Sequence, residues 1–425
     1  MRSRPRLLLV GCGLMGKRHI GGLAEVRRSR LRDARLVGVV DKYAARAGEA
    51  AREVERLLGE RPRIFNSVDE AVEGIEFEAA DICTEPASHH TVAEPLLEGG
   101  IDCLIEKPLS MTVRGCRSII EASMRGGTLL AVAENYRRDP VNRLAKWVIK
   151  NGELGSWMAA AQIVAGGGDA VLISPWRHKL TGGILIDLCC HYTDIYNYFF
   201  GTPETVSASS ALLRKVRYVR EMSGEALMKT PVEVEAEDYL DATYHYREGR
   251  VASLLVNLAA TGEGLWRRLI YLENGSIEVP MERTGEPLKL SRPLDQDYLA
   301  TMPHTAFLGQ RMGEPYKVSP EDAEEIYDRE TRVLFPELLN GYKMDFWEAD
   351  RKLIALELID FFRCIEDGDT PETGGWEGML SVGMVAAALE SSYTGRMVGL
   401  EDVLELRVEG YQARINRAMD LTSDI

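Results

Sequence analysis

No stretch of the chain approaches the roughly 18 consecutive apolar residues that a membrane-spanning helix needs. Basic charge is also scarce. Lys and Arg number 51 against 66 Asp and Glu, a net charge of −15. That balance argues against nucleic acid or anionic membrane as the main partner, since both reward a basic excess. The seven cysteines contain no CxxC pair, so neither a zinc site nor a disulfide framework is expected. Free, buried thiols in a reducing cytoplasm are the expectation. The N-terminus carries Arg2, Arg4 and Arg6, but only Leu7–Val10 precede a glycine. A secretory signal needs an apolar core of about 7–15 residues, so none is expected there.

What is present is ordinary globular material. Hydrophobic residues make up 45 % and charged residues 28 % of 425 positions, enough for two or three domains. There is no low-complexity tract or internal repeat.

The segment Arg6–Gly16, RLLLVGCGLMG, is an apolar run ending in Gly11-x-Gly13-x-x-Gly16, followed by a helix-like stretch. Strand, tight turn and helix in this order let the backbone approach a pyrophosphate at the positive end of a helix. Leu14 and Met15 complete the turn. Leu36–Val40 reads as a second strand and ends in Asp41, 25 residues past Gly16. An acid near that spacing binds adenosine ribose hydroxyls and repels a 2′-phosphate, so NAD is favoured over NADP. Lys42 and Arg46 follow closely and blunt that preference. Ala80–Thr84, Ile101–Ile105 and Thr128–Ala133 read as further strands, with helices over about 88–99 and 110–125. Such alternation predicts a doubly wound parallel sheet, with the ligand at the carboxyl ends of the strands. Those ends carry Gly11–Gly16, Asp41, Thr84-Glu85-Pro86, Glu106-Lys107-Pro108 and Glu134-Asn135-Tyr136-Arg137.

A second feature lies at 182–201, GGILIDLCCHYTDIYNYFFG. It reads as a helix between glycines, hydrophobic on every side and therefore buried on every side. Yet Asp187, His191 and Asp194 stack on one face at i, i+4 and i+7. Two readings stand: a core histidine satisfied by two aspartates, or a stripe that faces a cleft and moves protons.

Taken together, Gly11–Gly16, Thr84-x-Pro86 with His89 or His90 close behind, Glu106-Lys107-Pro108 and Asn135-Tyr136-Arg137 resemble the Gfo/Idh/MocA oxidoreductases. The resemblance continues through Gly152-x-x-Gly155, Trp176-Arg177 before Gly182-Gly183, Asp187-x-x-x-His191-x-x-Asp194, and the closing Glu377-Gly-Met-Leu and Glu390–Arg396 motifs. It implies an N-terminal Rossmann domain, 1–139, and a second α/β domain, 140–425, built on a large, mostly antiparallel, open-faced sheet. A second subunit would cover that open face, giving a homodimer or homotetramer. The resemblance also implies catalysis by Lys107, Asp187 and His191, with Asp194 orienting the histidine. Gly11, Gly13, Leu14, Met15, Gly16, Asp41, Thr84, Pro86, His89, His90, Glu106, Lys107, Asn135, Trp176 and Arg177 would bind the cofactor. Lys107, Tyr136, Arg137, Asp187 and His191 would bind substrate, and no metal is required.

Strand signals fill the second half: Ser156–Ala165, Val206–Val216, Tyr239–Tyr246, Val251–Leu258, and Arg268–Glu273 with Ser276–Val279 about Asn274-Gly275, a hairpin turn. The chain is longer than the family norm, with surplus expected at about 210–236 and 283–345. In the latter, Pro320–Leu338 reads as an acidic surface helix, or one that wraps the site or a neighbour. The expected activity is NAD-dependent oxidation of a secondary hydroxyl of a sugar or cyclitol. The alternatives are a glycosidase that uses NAD transiently through a 3-keto intermediate, and a non-catalytic cofactor-bound regulator. Retention of Lys107, Asp187 and His191 argues against the last.

Overall fold

In the computed structural model, residues 4–171, 178–223, 226–293 and 313–421 are described. Short apolar runs form the first sheet: β1 (Arg6–Val10), β2 (Arg35–Val40), β3 (Arg63–Phe65), β4 (Ala79–Ile82), β5 (Asp102–Glu106) and β6 (Leu130–Ala133). All pairings are parallel, in the order β3-β2-β1-β4-β5-β6. β1, β4 and β6 are almost wholly buried because helices cover both faces. The edge strand β3 has only three residues, two of them exposed, and so left no hydrophobic run to read. Helices α1 (Leu14–Arg28), α2 (Ala44–Leu58), α3 (Val68–Gly74), α4 (His89–Glu98) and α5 (Val113–Gly126) make the crossovers. The strand order reverses between β1 and β4, where a crevice opens at the strand ends.

After α6 (Pro140–Lys150) comes a second sheet. Its strands are β7 (Trp157–Ala165), β8 (Thr205–Ala211), β11 (Tyr239–His245), β12 (Val251–Asn257), β13 (Leu265–Leu272), β14 (Gly275–Val279), β15 (Lys289–Ser291), β16 (Glu314–Pro315) and β17 (Val398–Gly399). They run β16-β15-β14-β13-β7-β12-β11-β8-β17. Every pairing is antiparallel except that of β7 with β12. One face packs on α7 (Ile184–Phe200) and on the later helix Gly375–Thr394. The other face is apolar along its centre, and Met158, Leu265 and Tyr271 are nearly half exposed there. Among the described residues, no helix is long and apolar enough to cross a membrane.

Two expectations need correction. A strand over Val206–Val216 is instead β8 ending at Ala211, then β9 (Val216–Ser223), which pairs with β10 (Ala226–Glu233) in a separate ribbon. The Asp238 carboxylate accepts the N–H groups of Leu213 and Arg214 and turns the chain between β8 and β9. The single helix over Pro320–Leu338 is two: α8 (Pro320–Ile326) and α9 (Arg329–Leu334). Tyr327 is extended, and Asp328 caps the second helix by accepting Thr331 N–H at 2.6 Å. Nor is the pair merely solvated, because Tyr327, Leu334 and Phe335 are buried. Finally, the long helix α10 (Phe346–Asp367) returns to the first sheet and packs along α1. Part of the expected surplus, 294–312, lies outside the described residues.

Candidate functional site

The crevice at the strand ends opens into a cleft of about 640 Å³. One end is made by the β1–α1 turn. Gly11 has φ +93, and a Cβ there would stand 2.6 Å from the Cys83 carbonyl oxygen. Gly16 lies inside the turn, where a Cβ would meet Gly11 O at 2.1 Å. Gly13 is different: a Cβ on it would touch nothing within 4 Å, so its hydrogen leaves open space in the cleft. No side chain caps α1 and no acid stands in its first turn, so its first amides remain available to an anion. Leu14 and Met15 line the same wall. Thr84 and Pro86 line the wall opposite, and the Thr84 hydroxyl is buried without a partner among the described residues. A glycine-lined cradle, an uncapped helix end and an orphaned hydroxyl fit a dinucleotide. Asp41 also lines the cleft. Its carboxylate accepts Cys12 N–H at 2.9 Å and Tyr43 N–H at 2.8 Å, which ties the glycine turn to the end of β2.

The far end is built by β5, β6 and α7. Lys107 Nζ donates to the Asp187 carbonyl oxygen at 3.0 Å and to its Oδ1 at 3.1 Å. Burial opposes the ammonium charge, but Asp187 and Glu106 outweigh it and hold Lys107 protonated well above its ordinary range. His191 stands one turn further along α7. Its Nδ1 lies 2.7 and 2.8 Å from the two carboxylate oxygens of Glu134. The Tyr136 ring stacks on it at 3.8 Å, 2° from parallel. Burial, then the charges of Lys107 and Arg283, push His191 well below its ordinary value, so the imidazole is neutral at neutral pH. Burial conversely pushes Glu134 up to about 7, against the pull of Tyr136 N–H, Lys107 and Arg137.

The Asp-His-Asp stripe therefore does not act as one unit. Asp194 does not orient His191. It forms a two-pronged pair with Arg137, and both are buried. Arg137 is consequently corrected from a substrate contact to a structural partner. The glycine pattern and the helix spacing were visible in sequence, but which acid faces which base depends on the depth of β6 beside α7.

Other expected residues also move. His89 is fully buried and sits between the Thr84 carbonyl, 3.1 Å from Nε2, and the Pro108 and Leu109 carbonyls near Nδ1. It braces two strand-end loops and does not line the cleft. His90 Nε2 bonds Met419 O at 3.0 Å, tying α4 to the C-terminal segment. Glu106 reaches the cleft floor, but its carboxylate is engaged by His19 Nε2 at 2.9 Å and by Lys107 N–H at 3.0 Å. Asn135 and Tyr136 do line the cleft. Trp176 and Arg177 lie outside the described residues.

Two groups were given no role from sequence. Glu134 closes β6 and had a sequence signal, an acid at the carboxyl end of a buried strand. Arg283 had none, because it belongs to the surplus segment and to no regular element. Its backbone has φ 67. Its guanidinium bonds Asp350 at 2.7 Å and Asn135 at 2.9 Å and lies 4.9 Å from the Tyr136 ring centre.

A doubly wound sheet whose crevice brings a lysine from a strand end to a neutral histidine on a sheet-backed helix fits a nucleotide-dependent oxidoreductase. Residues 6–134 match the family model for an oxidoreductase family with an NAD-binding Rossmann fold, and 142–278 match the GFO/IDH/MocA C-terminal domain. The chain belongs to the Gfo/Idh/MocA oxidoreductase family. Among curated relatives, D-apiose dehydrogenase of Paraburkholderia graminis is 23% identical over 405 residues, covering 93% of this chain and 89% of that protein. Inositol 2-dehydrogenase 2 of Saccharopolyspora erythraea is 32% identical over 148 residues, 35% of this chain and 41% of its own length. A solved levoglucosan dehydrogenase, in complex with NADH and levoglucosan, superposes with a TM-score of 0.73 at 23% identity, covering 94% of this chain and all of that one.

Proposed function

We propose that this protein is an NAD-dependent dehydrogenase acting on a secondary hydroxyl of a sugar, sugar derivative or cyclitol. The observation that carries the reading is the meeting of a charged Lys107 and a neutral His191 in the cleft that the glycine turn also lines. The turn with Gly13, Leu14 and Met15, together with Asp41, Thr84 and Pro86, would hold NAD, and Asp41 disfavours a 2′-phosphate. Bound NAD supplies the acceptor for the hydrogen and electron pair that leave the carbinol carbon. Lys107 donates a hydrogen bond to the reacting hydroxyl and stabilises the negative charge that develops on its oxygen. His191, uncharged and free at Nε2, takes the hydroxyl proton. Asp187 keeps Lys107 charged and aimed, and its second oxygen can accept from a neighbouring hydroxyl. The Tyr136 ring fixes the plane of the imidazole.

The same reading places the domain division at 139/140 and pairs subunits through the open sheet face. The seven described cysteines are free and buried, which fits a cytoplasmic enzyme. The direct test is reduction of NAD, and separately of NADP, by D-apiose, myo-inositol, levoglucosan and their glycosides, followed at the NADH absorbance band. NADH accumulating in proportion to sugar consumed, faster with NAD than NADP, is the expected result. Glycoside cleavage without net NADH would instead establish the transient-redox glycosidase. Inertness toward every compound would count against both.

A further inference from the structure

Glu134 sits at the end of a strand that is otherwise alanine, leucine and valine. It is 2 % exposed. Such a carboxyl is costly to bury unless it is engaged. Both its oxygens face the same ring nitrogen of His191, at 2.7 and 2.8 Å. One oxygen also accepts Tyr136 N–H at 3.0 Å, and the Tyr136 ring stacks on that imidazole. One short loop thus grips the acid with its backbone and the base with its side chain.

We propose that Glu134 is the positioning residue of His191 and the store for the proton that His191 takes from substrate; this rests on the dehydrogenase reading above. A neutral imidazole carries one N–H. An ionised carboxylate only accepts, so it holds that hydrogen on Nδ1 and leaves the Nε2 lone pair for the cleft. Nε2 has no hydrogen-bond partner among the described residues and is not among the fully buried unpartnered atoms. During oxidation the substrate O–H bond breaks and its proton moves to Nε2. The carbinol C–H pair leaves to the cofactor, and a C=O bond forms. The hydrogen on Nδ1 passes to a Glu134 oxygen. One proton has entered and one is stored, and the imidazole ends neutral with its hydrogen on Nε2.

In the serine-protease triad the carboxylate does not take the proton, because it is by far the weaker base. Here burial moves both groups toward the reverse order. Burial drives Glu134 up to about 7, while burial, Lys107 and Arg283 drive His191 well down. The groups around the carboxyl are mixed in sign. Lys107 and Arg137 favour its ionised form, and Glu106 opposes it. On α7 it feels Cys190 and Asp194, and on α10 Glu357. The carboxyl and the imidazole share one hydrogen across a contact of 2.7–2.8 Å, so protonation of one governs the other. Above about 7 the carboxylate is ionised and Nε2 is ready to accept. Below it, the neutral carboxyl donates to Nδ1, the ring hydrogen sits on Nε2, and the base is blocked. Oxidation therefore falls with falling pH, about tenfold per unit, whereas reduction of the corresponding ketone rises.

The experiment compares wild type, Glu134→Gln and Glu134→Asp. The kinetic arm is the pH profile of kcat/KM from 5.5 to 9, with whichever of D-apiose, myo-inositol or levoglucosan reduces NAD. The second arm is the ¹⁵N spectrum of the histidine rings in each NADH complex, with His191 assigned by His191→Asn. Wild type should show an oxidative limb rising to a plateau above about 7, and a His191 hydrogen that moves from Nε2 to Nδ1 over the same range. Glu134→Gln should bind NADH normally, lose 10-fold or more in kcat and show a flat profile. Glu134→Asp should restore the limb at reduced rate. An unchanged limb in Glu134→Gln, or a ring hydrogen on Nε2 in wild type at pH 9, overturns the proposal while leaving the dehydrogenase reading intact. If no compound is oxidised, that reading fails and the ring spectra still decide Glu134. If Glu134→Gln does not fold, the wild-type spectra and Glu134→Asp decide it.

Discussion

Lys107 enters the cleft with its charge already matched by Asp187, at 3.1 Å. A partnered ammonium of this kind stays protonated through any physiological pH, so its contribution is constant charge and not proton exchange. Lys107→Met should fold and bind NADH but lose at least about 100-fold in kcat, the worth of one preorganised donor to a developing oxyanion. Steady-state rates beside an NADH titration check this. Arg137 and Asp194 make the opposite case. They pair where neither meets the cleft, so Asp194→Ala strands a buried guanidinium. It should cost about 3–5 kcal/mol of stability, read from urea midpoints.

At the scale of elements, the site is a set of strand ends and one helix. The β1–α1 turn holds its shape through Gly11 and Gly16, whereas Gly13 only leaves room. Gly13 has an ordinary extended backbone at φ −74 and ψ −152, and a Cβ on it meets nothing within 4 Å. Gly13→Val should therefore melt within a few degrees of wild type and yet bind NADH at least about tenfold more weakly, a loss of about 1.4 kcal/mol. Fluorescence titration of NADH measures it. These turns and the buried helix α7 were legible in the sequence, because glycine spacing and all-round apolarity are local signals. Its partners were not. Asp187 meets Lys107 just after β5, whereas His191 and Asp194 meet Glu134 and Arg137 of the one loop after β6, and only the packing of β5 and β6 against α7 decides which. Likewise Asp328 restarting a helix after Tyr327, and Asp238 turning the chain after β8, depend on single side-chain caps within patterns that otherwise read as continuous.

At the scale of the whole molecule, the two sheets divide the work. The parallel sheet presents the nucleotide cradle, and the larger sheet backs α7 and leaves apolar residues along the centre of its outer face. On that face Leu269 alternates with the buried Ile270, between the exposed Leu265 and Tyr271. We expect this open face to be the association surface. Sedimentation should give the mass of two or four chains, and Leu269→Glu should give one. A wild-type monomer would remove the open face as the interface.

The central claim is that the lysine–histidine cleft performs the chemistry and does not merely fill the space between two sheets. The most direct measurement is turnover and melting of His191→Asn, whose amide can still face Glu134. Melting within a few degrees of wild type, NADH binding retained, and kcat lower by roughly 100 to 10,000, the usual worth of a general base, is the predicted result. A folded variant that oxidises its sugar at the wild-type rate with the wild-type pH profile would contradict it.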